Sequence, residues 1–181
     1  MAENTTEKAL VVVDVQVGVM AASINSAEVI GRIGSLVERA RERGVPVIWV
    51  RHRSEDLVPQ TADWQIVPEL VPAVGEPIVE KAYGDSFAET DLAERLADAG
   101  ATGFVLCGAQ SDACIRSTFY GGIYRGYPVT LVSDAHTTED LSQWGVEYTP
   151  EQAIAMINTQ AQYTRLPDVS GAVVTAAEAF A

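Results

Sequence analysis

The chain has 181 residues, 48% hydrophobic and 20% charged, with a formal net charge of −13. That size and balance suit one domain with a sizeable core. The acidic excess argues against nucleic acid and anionic membrane surfaces as partners, and two cysteines, Cys107 and Cys114, are too few for a disulfide framework.

Met1–Lys8 is polar and lacks the basic and apolar regions of a signal peptide. Apolar runs such as Ala9–Val13 are far too short to span a bilayer. The expectation is a cytoplasmic protein, one domain over residues 1–181, with a flexible N-terminus at residues 1–7.

Ala9–Val13 is continuous rather than alternating, so it reads as a strand buried on both faces. Asn25 and Glu28 have capping-box spacing, and Val29, Ile33, Leu36, Val37 and Ala40 follow at helical period until Gly44. Val45–Val50 predicts the second strand, with Pro46 near its start. Residues 51–76 contain Pro59, Pro68 and Pro72 and read as a long irregular connection, of the kind that carries function or forms a lid. Ile78–Glu80 predicts a short third strand. Thr90 is placed to cap a helix through Leu92, Leu96 and Ala99, closed by Gly100. Gly103–Cys107 predicts the fourth strand, Asp112–Tyr124 a helix, and Pro128–Val132 the fifth strand. Thr149 and Pro150 open a helix that runs to about Tyr163, and Ala172–Thr175 suits a sixth strand. Buried strands alternating with helices predict a three-layer α/β/α domain around a mostly parallel sheet.

In such sheets ligands bind beyond the carboxyl ends of the strands. Asp14 directly follows the first predicted strand, His52 follows the second and Lys81 the third. Cys114 follows the fourth after a Gly-led loop, and Asp134 and His136 follow the fifth. A cysteine in the first turn of a helix sits in the positive field of the helix dipole, near unpaired N–H groups, which predicts a lowered thiol pKa. Those N–H groups also suit an oxyanion on a substrate attacked by the sulfur. Cys107, inside a strand, reads as a small buried hydrophobe. Asp14 reads either as a strand-end cap or as a base, and Lys81 either as a surface lysine or as a cation that holds the charge. Together the three residues offer a nucleophile, a base and a cation.

At this point the residues resemble a known family. "ALVVVDVQVGVM" (Ala9–Met20), "IVEKAYGDSFAETDL" (Ile78–Leu92) and "GAQSDACIRST" (Gly108–Thr118) are similar, in this order, to the three motifs of the isochorismatase-like cysteine hydrolases. That family includes nicotinamidases, carbamoylsarcosine-type amidohydrolases and streptothricin hydrolase. The resemblance implies a doubly wound sheet of about six strands. It implies Cys114 as nucleophile, Asp14 as general base and Lys81 as the cation that orients Asp14. It also implies a cis peptide at Ala109–Gln110, with the Gln110 and Cys114 N–H groups directed at the oxyanion. The implied activity is hydrolysis of a small-molecule amide, lactam or carbamoyl C–N bond through a thioester, with no cofactor, in a homodimer or larger homo-oligomer.

Two departures refine this. Nicotinamidase-like members hold a metal through an Asp-x-His pair after the second strand. Here that stretch is "VRHRSED" (Val50–Asp56), and the next histidine is His136, so no metal is expected. True isochorismatases lack the cysteine, so Cys114 favours amide over vinyl-ether hydrolysis. Gln16, His52, Trp64, His136 and Trp144 are candidate pocket walls. The competing readings are a thiol-based sensor and a catalytically silent binding module. A resolving cysteine near Cys114 is missing for the first, and the complete triad argues against the second.

Overall fold

The computed structural model describes residues 8–181; the flexible N-terminus expected at residues 1–7 lies outside the described residues. Six strands, β1 (Lys8–Val13), β2 (Val47–His52), β3 (Ile78–Lys81), β4 (Gly103–Ala109), β5 (Val129–Thr137) and β6 (Gly171–Val174), form one sheet in the order β3-β2-β1-β4-β5-β6. Every neighbouring pair is parallel. The chain builds outward from β1 to β3, then returns to place β4 on the other side of β1. The order therefore reverses between β1 and β4, and the crevice for a ligand opens at their carboxyl ends.

The strand side chains alternate between two cores, one on each face of the sheet. Ala9, Val11 and Val13 pack with Leu92 and Leu96 of α3 (Leu92–Asp98), Phe119 and Ile123 of α4 (Arg116–Tyr124), and Ile157 and Ala161 of α5 (Pro150–Tyr163). Leu10 and Val12 pack with Ile33, Leu36, Val37 and Ala40 of α2 (Ser26–Glu42). Burial on both faces explains why β1 reads as an unbroken apolar run. The fold is the expected three-layer α/β/α domain. No helix among the described residues is long and apolar enough to cross a membrane.

Several local expectations shift. Asn25 adopts a left-handed backbone and makes no side-chain cap, and Glu28 pairs forward with Arg32 instead of closing a capping box. Asp91, not Thr90, is the N-cap of α3, although the Thr90 hydroxyl accepts a hydrogen bond from Leu92 N–H at 3.3 Å. The box at α5 is complete: Thr149 accepts from Gln152 N–H, and Gln152 accepts from Thr149 N–H. A six-residue helix, α1 (Val17–Ala22), has no counterpart in the sequence reading, because so short a segment shows no period. The start predicted for helix 112–124 is a π-helical turn, Ser111–Ile115. Strand β5 runs to Thr137, past the predicted Val132, because Gly108 and Ala109 pair with His136 and Thr137 beyond a register shift.

Gly108 has a φ of +122°, and a Cβ there would run into the Val13 backbone. Gly31, on the exposed side of α2, has no atom of another element among the described residues within 4 Å of the place a Cβ would take. Gly108→Ala should destabilise the protein by at least about 2 kcal/mol. Gly31→Ala should stabilise it by about 0.5–1 kcal/mol. Urea midpoints of the two variants check both signs.

Candidate active site

Four side chains meet beyond the carboxyl ends of four adjacent strands. Lys81 ends β3, and its register partner His52 ends β2. Asp14 directly follows β1, and Cys114 lies in the π-helical turn after β4. The Lys81 ammonium donates to Asp14 Oδ2 at 2.7 Å, His52 Nδ1 at 3.0 Å and Cys114 Sγ at 3.2 Å. Three protons thus meet three acceptors. The Lys81 side chain is 0% exposed and that of Asp14 is 3% exposed. An ammonium has no lone pair, so His52 Nδ1 must accept and the ring proton resides on Nε2.

The electrostatics follow from this burial. Burial alone would lower the Lys81 pKa, but the adjacent Asp14 carboxylate overrides it and the pKa rises. Burial and then the Lys81 charge depress His52, which keeps the imidazole neutral. Burial, reinforced by the negative charge of Asp14, pushes the Cys114 thiol up to about 12, with Lys81 opposing. This overturns the expectation of a lowered thiol pKa. The helix start and one ammonium do not outweigh desolvation beside a carboxylate. At neutral pH the proton stays on sulfur, next to the carboxylate that can take it. Asp14 Oδ1 is buried and has no hydrogen-bond partner among the described residues.

The donor atoms of Asp14, His52 and Cys114 lie within 4.8 Å of one another, a spacing that could suit a metal ion. Lys81 Nζ is within hydrogen-bond distance of all three. A metal at that point would displace or repel a buried ammonium. The residues present therefore do not fit a resident metal.

The loop that carries Cys114 is held from behind. The Ala109–Gln110 peptide is cis. The Gln110 carbonyl accepts from both Ala113 N–H and Ile115 N–H, and the second of these bonds sets the wide π-helical turn. Ser111 Oγ lies 2.7 Å from His136 Nδ1, and His136 Nε2 lies 2.9 Å from Asn158 Oδ1. Asn158 Nδ2 donates to Ser133 O, so Oδ1 is the acceptor and His136 carries its proton on Nε2. Burial lowers the His136 pKa and keeps the ring neutral.

A cavity of about 540 Å³ opens over Asp14, Gln110 and Cys114. His52 and Trp144 line it, as expected of wall residues. Gln16, Trp64 and His136 do not; they sit behind it as supports. The fully buried Gln16 amide donates to His52 O and Trp64 O and accepts from His52 N–H. Trp64 is buried under the Arg51 guanidinium, 3.3 Å from the ring centroid. The connection between β2 and β3 supplies Ser54, Asp56, Leu57 and Asp63 to the lining. It is tied to residues 15–18 by backbone bonds: Val17 N–H to Gln65 O, Gly18 N–H to Asp63 O, and Val67 N–H to Val15 O. Glu139, which accepts from the Gln110 side chain at 3.0 Å, is a lining residue that the sequence reading missed, although it too follows β5.

Fold and site together define a doubly wound α/β domain with a cysteine, a carboxylate and a lysine gathered at the point where strand order reverses. The chain belongs to the isochorismatase family, in its cysteine-hydrolase branch: the Isochorismatase domain model matches residues 8–167. It is 34% identical over 140 residues to a streptothricin hydrolase from Streptomyces noursei, covering 74% of this chain and 56% of that protein. The chain thus spans about half the length of that relative. It is 26% identical over 163 residues to a ureidoacrylate amidohydrolase from Methylobacterium radiotolerans, covering 72% of this chain and 61% of that protein. Among solved structures, a cysteine hydrolase from Pseudomonas syringae pv. phaseolicola 1448A superposes with a TM-score of 0.85 at 24% identity, over 99% of this chain and 93% of that one, a likeness of fold.

A thiol held near 12 predicts a specific reactivity. Alkylation of Cys114 by iodoacetamide should keep accelerating through pH 9, beyond the point near 8.5 where a free thiol levels off. A plateau at or below pH 8 would mean that the helix start and Lys81 outweigh burial. Rates measured by mass spectrometry across pH 6–10 decide it.

Proposed function

We propose that this protein is a cysteine-dependent amidohydrolase that cleaves the C–N bond of a small amide, lactam or carbamoyl compound. The observation that carries this reading is the buried Lys81 ammonium, hydrogen-bonded at once to the Asp14 carboxylate and the Cys114 sulfur. Such an arrangement sets a carboxylate base beside a protonated nucleophile. The relatives named as streptothricin hydrolase and ureidoacrylate amidohydrolase support amide chemistry.

In the first half-reaction, Cys114 Sγ attacks the carbonyl carbon as its proton passes to Asp14. The oxyanion rests on the Gln110 and Cys114 backbone N–H groups. The C–N bond then breaks, Asp14 returns the proton to the departing nitrogen, and an amine or ammonia leaves a thioester on Cys114. In the second half-reaction, Asp14 takes a proton from water as the oxygen attacks the thioester. The C–S bond breaks, and the proton goes back to sulfur as the carboxylic acid leaves. The sum is amide plus water to acid plus amine, with the enzyme restored. The high resting thiol pKa suits this scheme, because proton transfer and attack are coupled and no standing thiolate is needed.

Cys114→Ala should abolish turnover and leave the fold intact. Cys107→Ala should lose a little stability and keep activity, since Cys107 is fully buried within β4. Lys81→Ala should lower turnover by about 10²-fold or more, the scale of lost acid–base catalysis. Ammonia or amine release from a panel of amides, lactams and carbamoyl compounds gives the rates, and intact mass detects the thioester. An active Cys114→Ala variant would sink the reading.

Dialysis against a strong chelator should leave turnover unchanged, because Lys81 occupies the place between the three donors. Loss of activity restored by zinc, manganese or iron would overturn that assignment.

A further inference from the structure

His52 is fixed more firmly than a cavity wall requires. Its main chain is clamped by the fully buried Gln16 amide, which donates to His52 O at 2.9 Å and accepts from His52 N–H at 2.8 Å. Its ring is pinned at Nδ1 by the Lys81 ammonium at 3.0 Å, which places the ring proton on Nε2. Among the described residues the ring makes no other hydrogen bond, so Nε2–H is an uncommitted donor in the wall of the cavity over Cys114. Asp14, on the other side of the Lys81 ammonium, has the opposite deficit: its buried Oδ1 accepts no hydrogen bond among the described residues. The two side chains approach within 4.8 Å through their nitrogen and oxygen atoms. A water molecule reaches about 2.8 Å to each partner, so one water can serve both residues. It has what both lack, an O–H for the carboxylate and a lone pair for the N–H.

We propose that His52 is a catalytic residue of the second half-reaction: its Nε2–H holds the water that hydrolyses the thioester, with Asp14 as the base. The assignment rests on the amidohydrolase reading for the thioester and on the Lys81–His52 contact for the role of the ring. In this step the water gives a proton to Asp14 as its oxygen bonds to the carbonyl carbon. The C–S bond then breaks, and the proton passes from Asp14 to sulfur. The His52 proton stays on Nε2 throughout. It occupies one lone pair of the water and leaves the other turned toward the thioester, so the ring orients the nucleophile. The first half-reaction uses no water. Loss of Nε2–H should therefore slow the departure of the acyl group and not its arrival.

The two ring nitrogens can be separated by substitution. In His52→Asn the amide oxygen stands near the place of Nδ1 and can still accept from Lys81, while the Nε2–H is gone. In His52→Gln the longer amide brings an N–H toward the place of Nε2, while the Nδ1 acceptor is gone. Both are made in the Cys107→Ala protein, which serves as the parent. Cys114 is acetylated with p-nitrophenyl acetate, and loss of acetyl from the Cys114 peptide is followed by mass spectrometry, so no amide substrate is needed. The parent should lose the acetyl group about 10²-fold or more faster than N,S-diacetylcysteine does. His52→Asn should be slower than the parent by about tenfold or more, and His52→Gln by less. Hydroxylamine, a strong nucleophile that needs no oriented lone pair, should clear the acetyl group from the parent and from His52→Asn at similar rates.

A His52→Asn protein that deacetylates as fast as the parent overturns the assignment and leaves the hydrolase. So does a His52→Gln protein slower than His52→Asn, which would make the ring a partner of Lys81 alone. An equal slowing with water and with hydroxylamine would mark a general loss of the site and overturn it as well. A parent no faster than the free thioester would instead count against the amidohydrolase reading, and the role of His52 would fall with it.

Discussion

A lysine ammonium with no solvent contact must be compensated where it lies, because an unpaired buried charge costs several kcal/mol. In this protein the compensation comes from three strands other than its own. Asp14 stands at the end of β1, His52 at the end of β2 and Cys114 beyond β4, around a Lys81 that ends β3. That geometry requires β3, β2, β1 and β4 to be neighbours in this order with their carboxyl ends level. The sheet topology and the chemistry are thus one constraint seen twice. Moving any of the four strands by a residue would turn its functional side chain to the opposite face and leave the ammonium short of a partner.

Around this cluster the fold is stiffened on both sides. The Gln16 amide binds the ends of β1 and β2 to the loop at Trp64. Asn158 on α5, His136 on β5 and Ser111 in the π-helical turn form one buried chain from the outer helix layer to the loop that carries Cys114. Each member of that chain has its proton placed by its neighbour. The loop therefore cannot turn without breaking a buried hydrogen bond.

The strands and the meeting place of Asp14, Lys81 and Cys114 were legible because the signals are local. An apolar run bounded by a charged residue marks a strand end, and the strand ends of a parallel sheet converge. The thiol pKa was not legible, since it depends on how much water surrounds Cys114 and on the approach of Asp14 from a strand 100 residues earlier in the chain. Gln16, Trp64 and His136 share the residue types of ligand-binding walls. Only packing shows them turned to the scaffold. The helix α1 escaped notice because six residues do not complete two turns. Asn25 and Glu28 had the right spacing for a cap, but Arg32 on the next turn offered Glu28 a charged partner.

The loop over the cavity is joined to residues 15–18 through main-chain groups. A peptide N–H or C=O is present whatever side chain the residue bears, so this seam is indifferent to much of the sequence it fastens. Lineages diverging from a common ancestor could exchange Ser54, Asp56, Leu57 or Asp63 and alter what is accepted, while the loop stays seated and the reactive groups stay in place. A scaffold joined in this way separates the inheritance of a reaction from the inheritance of its selectivity, and lets one change without the other.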